Sequence, residues 1–401
     1  MICVGVDAAA FKHDVCIYDT LSAKVVRRMR IENKTKDYEA LLQAIKEARA
    51  KENAEVRLGV ESTGSYSRAI VEWFAREKWI RVYHANPILT STYQQCSKVH
   101  YAKNDRIDAE GIAKFLAAGT GLVPYAPLSY RQKQARETYR EIVHLSDDIT
   151  DTSNRLGSLI HEYFPEFLGV FGCIRSPLPL WILSNYDLGS IAKADPARMA
   201  RKAQKALEQA KAQTSKCASL VAAAKSSVCL GLYYDFRSIS INAKHLSESM
   251  RTKASLIAVG SEIVEEAVPN ILSIPGIGSI SALGIYGEIG DGSAFKNADK
   301  LCSFAGMDPI VRDSGEYVST GYSISKKGSS YLRKALYNAC QTARLFEPRM
   351  KAIYQKKIDA GKRHRVALGH VAKKLMAMIL SMLKSGEFYA APETPKETAG
   401  N

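Results

Sequence analysis

The first 85 residues constrain the chain most. Three β-rich runs, Cys3–Val6, Asp14–Asp19 and Lys24–Ile31, follow one another with connections too short to hold a crossover helix. Parallel strands need such a crossover, so these three predict an antiparallel meander. Helical periodicity then covers Tyr38–Lys51, a strand pattern Val56–Glu61, helical periodicity again Ser67–Lys78, and a last strand pattern Ile80–Ala85. Strands that alternate with helices in this way predict an α/β domain over residues 1–125.

Three hairpin-linked strands followed by α-β-α-β is the element order of the RNase H-like (RuvC-like) fold, in which the first and fourth strands are neighbours. Beyond it the texture changes. A chain of 401 residues exceeds what one core usually organises. Residues 126–268 are rich in Ala, Lys, Arg and Glu and read as a helical or coiled-coil linker and oligomerisation region. There Arg131–His161 and Pro196–Leu230 are expected to pair as an antiparallel arm, with Phe164–Gly189 as the bend between them. Residues 269–389 predict a compact α-rich domain, and 390–401 a disordered tail. The expected class is therefore α/β plus α.

The 56 Lys and Arg outnumber 41 Asp and Glu, leaving a net charge of +15, which favours a polyanionic partner through counterion release. Eight scattered cysteines form no C-x-x-C pair and have no histidine at zinc spacing, so they read as reduced residues filling cores. The N-terminus has an acid at Asp7 and no long apolar run, and nothing downstream is expected to approach a membrane span. The expected location is the cytoplasm, on the nucleoid, with no membrane partner.

Four carboxylates occupy positions that chemistry would choose. Asp7 ends the first apolar strand, Glu61 ends the fourth, and Asp105 and Asp108 sit three apart at the start of a helical run. Such a cluster is unfavourable unless a divalent cation neutralises it, and hard oxygen donors suit Mg²⁺ or Mn²⁺. Two such ions about 4 Å apart activate an attacking oxygen and stabilise a leaving one in phosphodiester cleavage. Asp14, Asp19 and Glu110 compete for the role. The first two flank the second strand, however, and Glu110 should face elsewhere on its helix. A strand-end Asp also serves as an ordinary turn or N-cap residue.

Near the C-terminus, IPGIGSISALGIYGEI (Ile274–Ile289) has the pattern of a helix-hairpin-helix. Gly276 and Gly278 would let the backbone approach a phosphate at a helix N-terminus, a grip that ignores base sequence. Further on, Ser314 stands beside Gly315, after Arg312 and before Lys326, Lys327 and Arg333. A serine in a glycine-containing turn near cations can attack a phosphodiester whose developing charge the cations stabilise. D-S-G is equally a common turn, and Ser319, Ser323, Ser325 and Ser329 are alternatives. The tract Lys351–Lys374, with its interleaved tyrosine, adds a further basic surface.

Taken in order, these motifs resemble the DEDD transposases of bacterial insertion sequences, the group that includes bridge-RNA-guided recombinases and the Piv-type DNA invertases. The resemblance rests on VGVDAAAFKHDVCIYD, GVESTGSY and KNDRIDAEGIAKFLA at one end. At the other it rests on IPGIGSISALGIYGEIGD, FAGMDPIVRDSGEY and ISKKGSSYLRKALYNA. It implies that Asp7, Glu61, Asp105 and Asp108 bind divalent metal. It implies further that Ser314 is a nucleophile that joins covalently to DNA, with site and serine supplied by different subunits. It also implies a tetramer, a dimer of dimers, acting on donor and target DNA with a non-coding bridge RNA. The middle region matches only in helical character.

Rival readings are a junction nuclease using the acids alone, an actin-like ATPase or sugar kinase, and a non-catalytic nucleic-acid-binding protein. The ATPase reading needs a glycine-rich phosphate loop after the first strand, and VGVDAAAFKHD has none.

Overall fold

The N-terminal meander forms in the computed structural model, which describes residues 1–49, 54–61, 66–85, 87–97, 105–119, 122–208, 213–232, 234–308 and 324–391. The chain divides into two units, Met1–Pro127 and Leu128–Asn401.

In the first unit, β1 (Ile2–Ala8), β2 (Lys12–Asp19) and β3 (Lys24–Glu32) pair antiparallel. After α1 (Thr35–Ala48), β4 (Val56–Glu61) pairs parallel with β1, and after α2 (Arg68–Phe74), β5 (Ile80–Ala85) pairs parallel with β4. Then come α3 (Pro87–Ser97), α4 (Asp105–Ala118) and the short edge strand β6 (Val123–Pro124). The sheet is mixed, in the order β3-β2-β1-β4-β5-β6.

β1 is central and covered on both faces, which is why it reads as a continuous apolar run rather than an alternation. Ile2, Val4, Val6 and Ala8 join a core with Tyr38, Leu41 and Ile45 of α1 and Ile70, Val71 and Phe74 of α2. Cys3 faces the other way, into a cluster with Cys16 and with Ala109, Ile112, Ala113 and Leu116 of α4. The sequence gives little warning of α3. Its run of Thr, Ser and Gln carries weak helical periodicity, and only Pro87 at its first position marks a helix start.

Among its described residues the second unit is helical. The order is α5 (Tyr130–Tyr163), α6 (Glu166–Val170), α7 (Pro177–Asn185), α8 (Leu188–Lys193), α9 (Pro196–Ala206), α10 (Thr214–Ser226) and α11 (Phe236–Ala267). It continues with α12 (Pro269–Leu272), α13 (Ser279–Ile289), α14 (Ala298–Phe304), α15 (Ser330–Phe346), α16 (Pro348–Asp359) and α17 (His364–Ser385).

The antiparallel partner of α5 is α11, not Pro196–Leu230. Arg131 pairs with Glu266 at one end, and Asp148 accepts from Ser249 at 2.9 Å further along. Two cores are threaded on this pair. Tyr139 and Ile142 of α5 with Ile263 and Val264 of α11 belong to one, and Leu156 and Ile160 with Ile239 and Leu246 belong to the other. Pro196–Leu230 is instead broken. α9 is followed by Glu208 in the left-handed region at φ 51°, and α9 and α10 each bury a short stripe of their own, Met199 to Ala203 and Cys217 to Ala224. Phe164–Gly189 is not a plain bend, because it forms α6, α7 and the start of α8.

Two further expectations are corrected. α17 is long and apolar enough to cross a membrane by length and composition, with a mean hydropathy of 1.5, but half of that stretch is buried. Leu368, Val371, Leu375, Met376 and Ile379 are core residues of the second unit. Nor do all cysteines fill cores, since Cys96 and Cys173 are exposed.

Candidate active site

Asp7 and Glu61 lie one step beyond Val6 and Val60, which face each other in the parallel register of β1 and β4. Their backbones are therefore one strand spacing apart, about 4.8 Å. Both side chains leave the sheet toward α4. A Cβ on Gly5 would meet the Ala109 carbonyl oxygen at 2.1 Å, and one on Gly59 would meet Leu116 at 2.8 Å. Asp7 and Glu61 stand two residues further along each strand, on the same face. The glycines are what let α4 lie this close.

Asp108 immediately precedes Ala109, the α4 residue that rests on Gly5. Asp105 is the first residue of α4, and its side chain lies outside those described. Two polar residues of α3, both buried, support the arrangement. Thr90 Oγ1 is 3.1 Å from the Pro87 carbonyl oxygen and 3.4 Å from Glu61 Oε1, and Gln94 Nε2 reaches the Asp108 carbonyl oxygen at 3.5 Å. Sequence reading missed both, because α3 itself was not foreseen.

The competing acids have structural duties. Asp14 holds Arg30 at 2.8 Å, Asp19 accepts from the Leu21 and Ser22 amides of the turn, and Glu110 binds Arg28 at 2.6 Å and Lys114 at 2.7 Å. Burial pushes the Glu110 carboxyl up. The Lys114 and Arg28 hydrogen bonds outweigh it and hold the pKa below the usual carboxylate value.

Asp7, Glu61 and Asp108 are hard oxygen donors from separate elements, the chemistry a divalent cation selects. Among the described residues, no three His, Cys, Asp or Glu side chains are drawn together closely enough to hold a metal ion. Asp105, the fourth expected donor, is not among the described side chains.

In the second unit, the IPGIG segment (Ile274–Gly278) is the turn between a short helix, α12, and a longer one, α13. Gly276 sits at φ 91°, and a Cβ there would meet the Ala343 amide nitrogen of α15 at 2.6 Å. Its close approach is thus to protein backbone rather than to open solvent. Gly278 is exposed at the N-cap of α13 with open space beside it. Lys326 and Lys327 are exposed, Lys326 at φ 54°. Arg333 is half-buried, and its Nη1 donates to the Ala305 carbonyl at 2.8 Å.

Arg312, Ser314, Ser319 and Ser323 lie outside the described residues. Of the other serines, Ser325 donates to Asp308 at 2.6 Å, while Ser329 caps α15 and donates to Glu288 at 2.9 Å. Glu288 is buried and also accepts two bonds from Arg140, at 3.0 and 2.8 Å. A lone acid in the otherwise apolar α13 was the available signal for this ion pair.

A family model described as "Transposase", of the DEDD type, matches residues 4–165. A second, described as "Transposase IS116/IS110/IS902 family", matches residues 268–355. The 43.6 kDa protein of insertion element IS110 from Streptomyces coelicolor is 25% identical over 61% of this chain and 61% of its own length, less than two thirds of that relative. A mini-circle protein of the same organism, named as the candidate transposase for IS117, is 22% identical over 96% of this chain and 94% of its own. The pilin gene-inverting protein of Moraxella bovis is 39% identical over 17% of this chain and 21% of its own. Among solved structures, T. thermophilus RuvC in complex with Holliday junction substrate aligns at 14% identity with a TM-score of 0.24, over 31% of this chain and 99% of that one. Two stretches of the chain, residues 4–165 and 268–355, therefore match models of transposases. The chain belongs to the IS110 family of DEDD transposases, with Piv-type inverting proteins as relatives.

Proposed function

We propose that the chain is a transposase or recombinase of an insertion element that cuts and rejoins DNA. Its first unit then acts as an RNase H-like domain through Asp7, Glu61, Asp105 and Asp108, and its C-terminal region supplies Ser314 as a nucleophile. The observation that carries this reading is the parallel pairing of β1 with β4 beneath α4, which gathers Asp7, Glu61 and the N-terminal turn of α4 at the C-terminal ends of the two central strands.

Mg²⁺ or Mn²⁺ bound by these carboxylates would supply activation of the attacking oxygen and stabilisation of the leaving one. The chain's own part is to hold the donors in place. Thr90 Oγ1 stands 3.4 Å from the Glu61 carboxylate and 3.1 Å from the Pro87 carbonyl oxygen, and Gln94 Nε2 stands 3.5 Å from the Asp108 carbonyl in the first turn of α4. In the serine step, the Ser314 oxygen bonds to phosphorus, the bond from phosphorus to a deoxyribose oxygen breaks, and the serine proton ends on that released oxygen. Arg312, Lys326 and Lys327 supply positive charge for the phosphorane. The protein works in the cytoplasm on nucleoid DNA, as a dimer of dimers, with a bridge RNA that pairs with donor and target. The match to the pilin gene-inverting protein favours one second reading, recognition of DNA by protein alone.

The test is Mg²⁺-dependent strand exchange by wild type, Asp7→Ala and Asp105→Ala. Loss in both variants is expected, and equal activity in all three would end the acidic-site reading. Wild type should trap a covalent protein–DNA adduct that Ser314→Ala lacks. Recombination that survives nuclease removal of co-purified RNA would favour the protein-only mode.

A further inference from the structure

On the carboxylate-bearing face, the sheet continues past Asp7 into a groove of about 210 Å³ lined by Asp14, Val15, Arg28, Met29, Arg30 and Ala109. Register fixes its place. Asp7 faces Asp14 across β1 and β2, and Asp14 faces Arg30 across β2 and β3. Arg30 therefore stands two strand spacings from Asp7, about 10 Å, on the same face. On the other wall, Ala109 directly follows Asp108.

The two arginines share a design. Arg30 bonds Asp14 through Nε at 3.2 Å and Nη2 at 2.8 Å, and Arg28 bonds Glu110 at 2.6 Å. The guanidinium-bearing side chains are 50% and 53% exposed, whereas Asp14 and Glu110 are only 10% and 21% exposed. Each carboxylate anchors its arginine from below, so much of the ordering cost of a bound guanidinium is met before any ligand arrives. Arginine is the side chain best shaped for a phosphate.

Resting on the function proposed above, we propose that this groove is a phosphate subsite. It takes a phosphate of the same DNA strand whose scissile bond lies at Asp7, Glu61 and Asp108, and so sets which bond is presented. Edge strands also carry cations simply to discourage strand pairing. β3 provides its own comparison in Arg27. That residue lies on the opposite face, pairs with Glu47 at 3.4 Å, and has no buried anchor, with both partners more than half exposed.

The test removes each arginine together with its anchoring carboxylate, so net charge stays constant; because Glu110 also holds Lys114, R30Q/D14N is the cleaner of the two groove variants. Full-length R28Q/E110Q, R30Q/D14N and the control R27Q/E47Q are titrated with duplex DNA, and separately with RNA, across a salt series in EDTA. Each groove variant should weaken DNA binding and reduce the slope of log K against log salt by about 1, while the control keeps the wild-type slope. Arg30→Lys, which retains the charge with little disturbance of packing, should keep the wild-type slope and guards against misfolding of the double variant. Wild-type slopes in both groove variants overturn the proposal, as does an equal fall in the control or a change seen with RNA alone. Binding in EDTA needs no cleavage, so a failure here is separate from a failure of Asp7→Ala to abolish strand exchange.

Discussion

A Cβ on Gly5 would stand 2.1 Å from the carbonyl oxygen of Ala109, so the central strand and α4 meet backbone to backbone. Ala113 is nearly as close, its nitrogen 2.4 Å from the same point. No side chain on Gly5 fits unless the helix that carries Asp105 and Asp108 moves off the strand that carries Asp7.

Gly5→Ala should therefore cost about 1–3 kcal/mol through overpacking and reduce strand exchange more than it reduces stability. Urea unfolding followed by tryptophan emission reads the first unit, because Trp73 and Trp79 lie there and only Trp181 lies in the second. Unchanged unfolding together with unchanged strand exchange would contradict the contact.

Much of the first unit is legible in the sequence. All five strand patterns form, because β propensity, short connections and burial agree there. Residues Asp7 and Glu61 could be placed side by side for the same reason, since strand ends in a parallel pair are set by register alone. Thr90 and Gln94 could not, because their roles depend on how α3 packs, and α3 has little pattern of its own. The pairing of α5 was misjudged for a similar reason. Composition over Pro196–Leu230 is as helical as over Phe236–Ala267, and the choice between them is made by burial, where Ala243, Leu246 and Ser249 of α11 turn toward the core.

Glu288 is a buried acid on which Arg140 and Ser329 converge. Glu288→Ala leaves Arg140, which is 40% exposed and can be hydrated, without its carboxylate and Ser329 without its acceptor, and should cost about 1–3 kcal/mol. In a double-mutant cycle with Arg140→Ala, the second change should add much less than it costs alone. Strict additivity would show that the pair is not coupled.

Acid should weaken the first unit through Glu110. Its pKa is lowered in the folded state, so the ion pairs with Lys114 and Arg28 contribute fully above the unfolded value of about 4.3 and are lost as pH falls through the lower folded value. Glu110→Gln should lower the unfolding midpoint near neutral pH, by about 1 kcal/mol or less, with the gap to wild type closing below about pH 4. A gap that widens in acid would reverse the assigned sign.

Thiol reagents should find two fast sites. Cys96 and Cys173 are exposed, whereas burial pushes Cys3 and Cys16 up to about 11 and Cys340 to about 12. Near neutral pH, Cys96→Ser and Cys173→Ser together should abolish the rapid phase, and urea should restore reactivity at the buried positions. A rapid phase that survives both changes would come from half-buried Cys229 or from a core that opens readily, and Cys229→Ser tells the two apart.

The α5 helix runs unbroken for 34 residues, close to 50 Å, and contributes to both cores of the second unit. Such a rod behaves as a lever. A tilt of one tenth of a radian about one core would carry the far end sideways by about 5 Å by simple geometry, so a small rotation at one core becomes a displacement of several ångströms at the other.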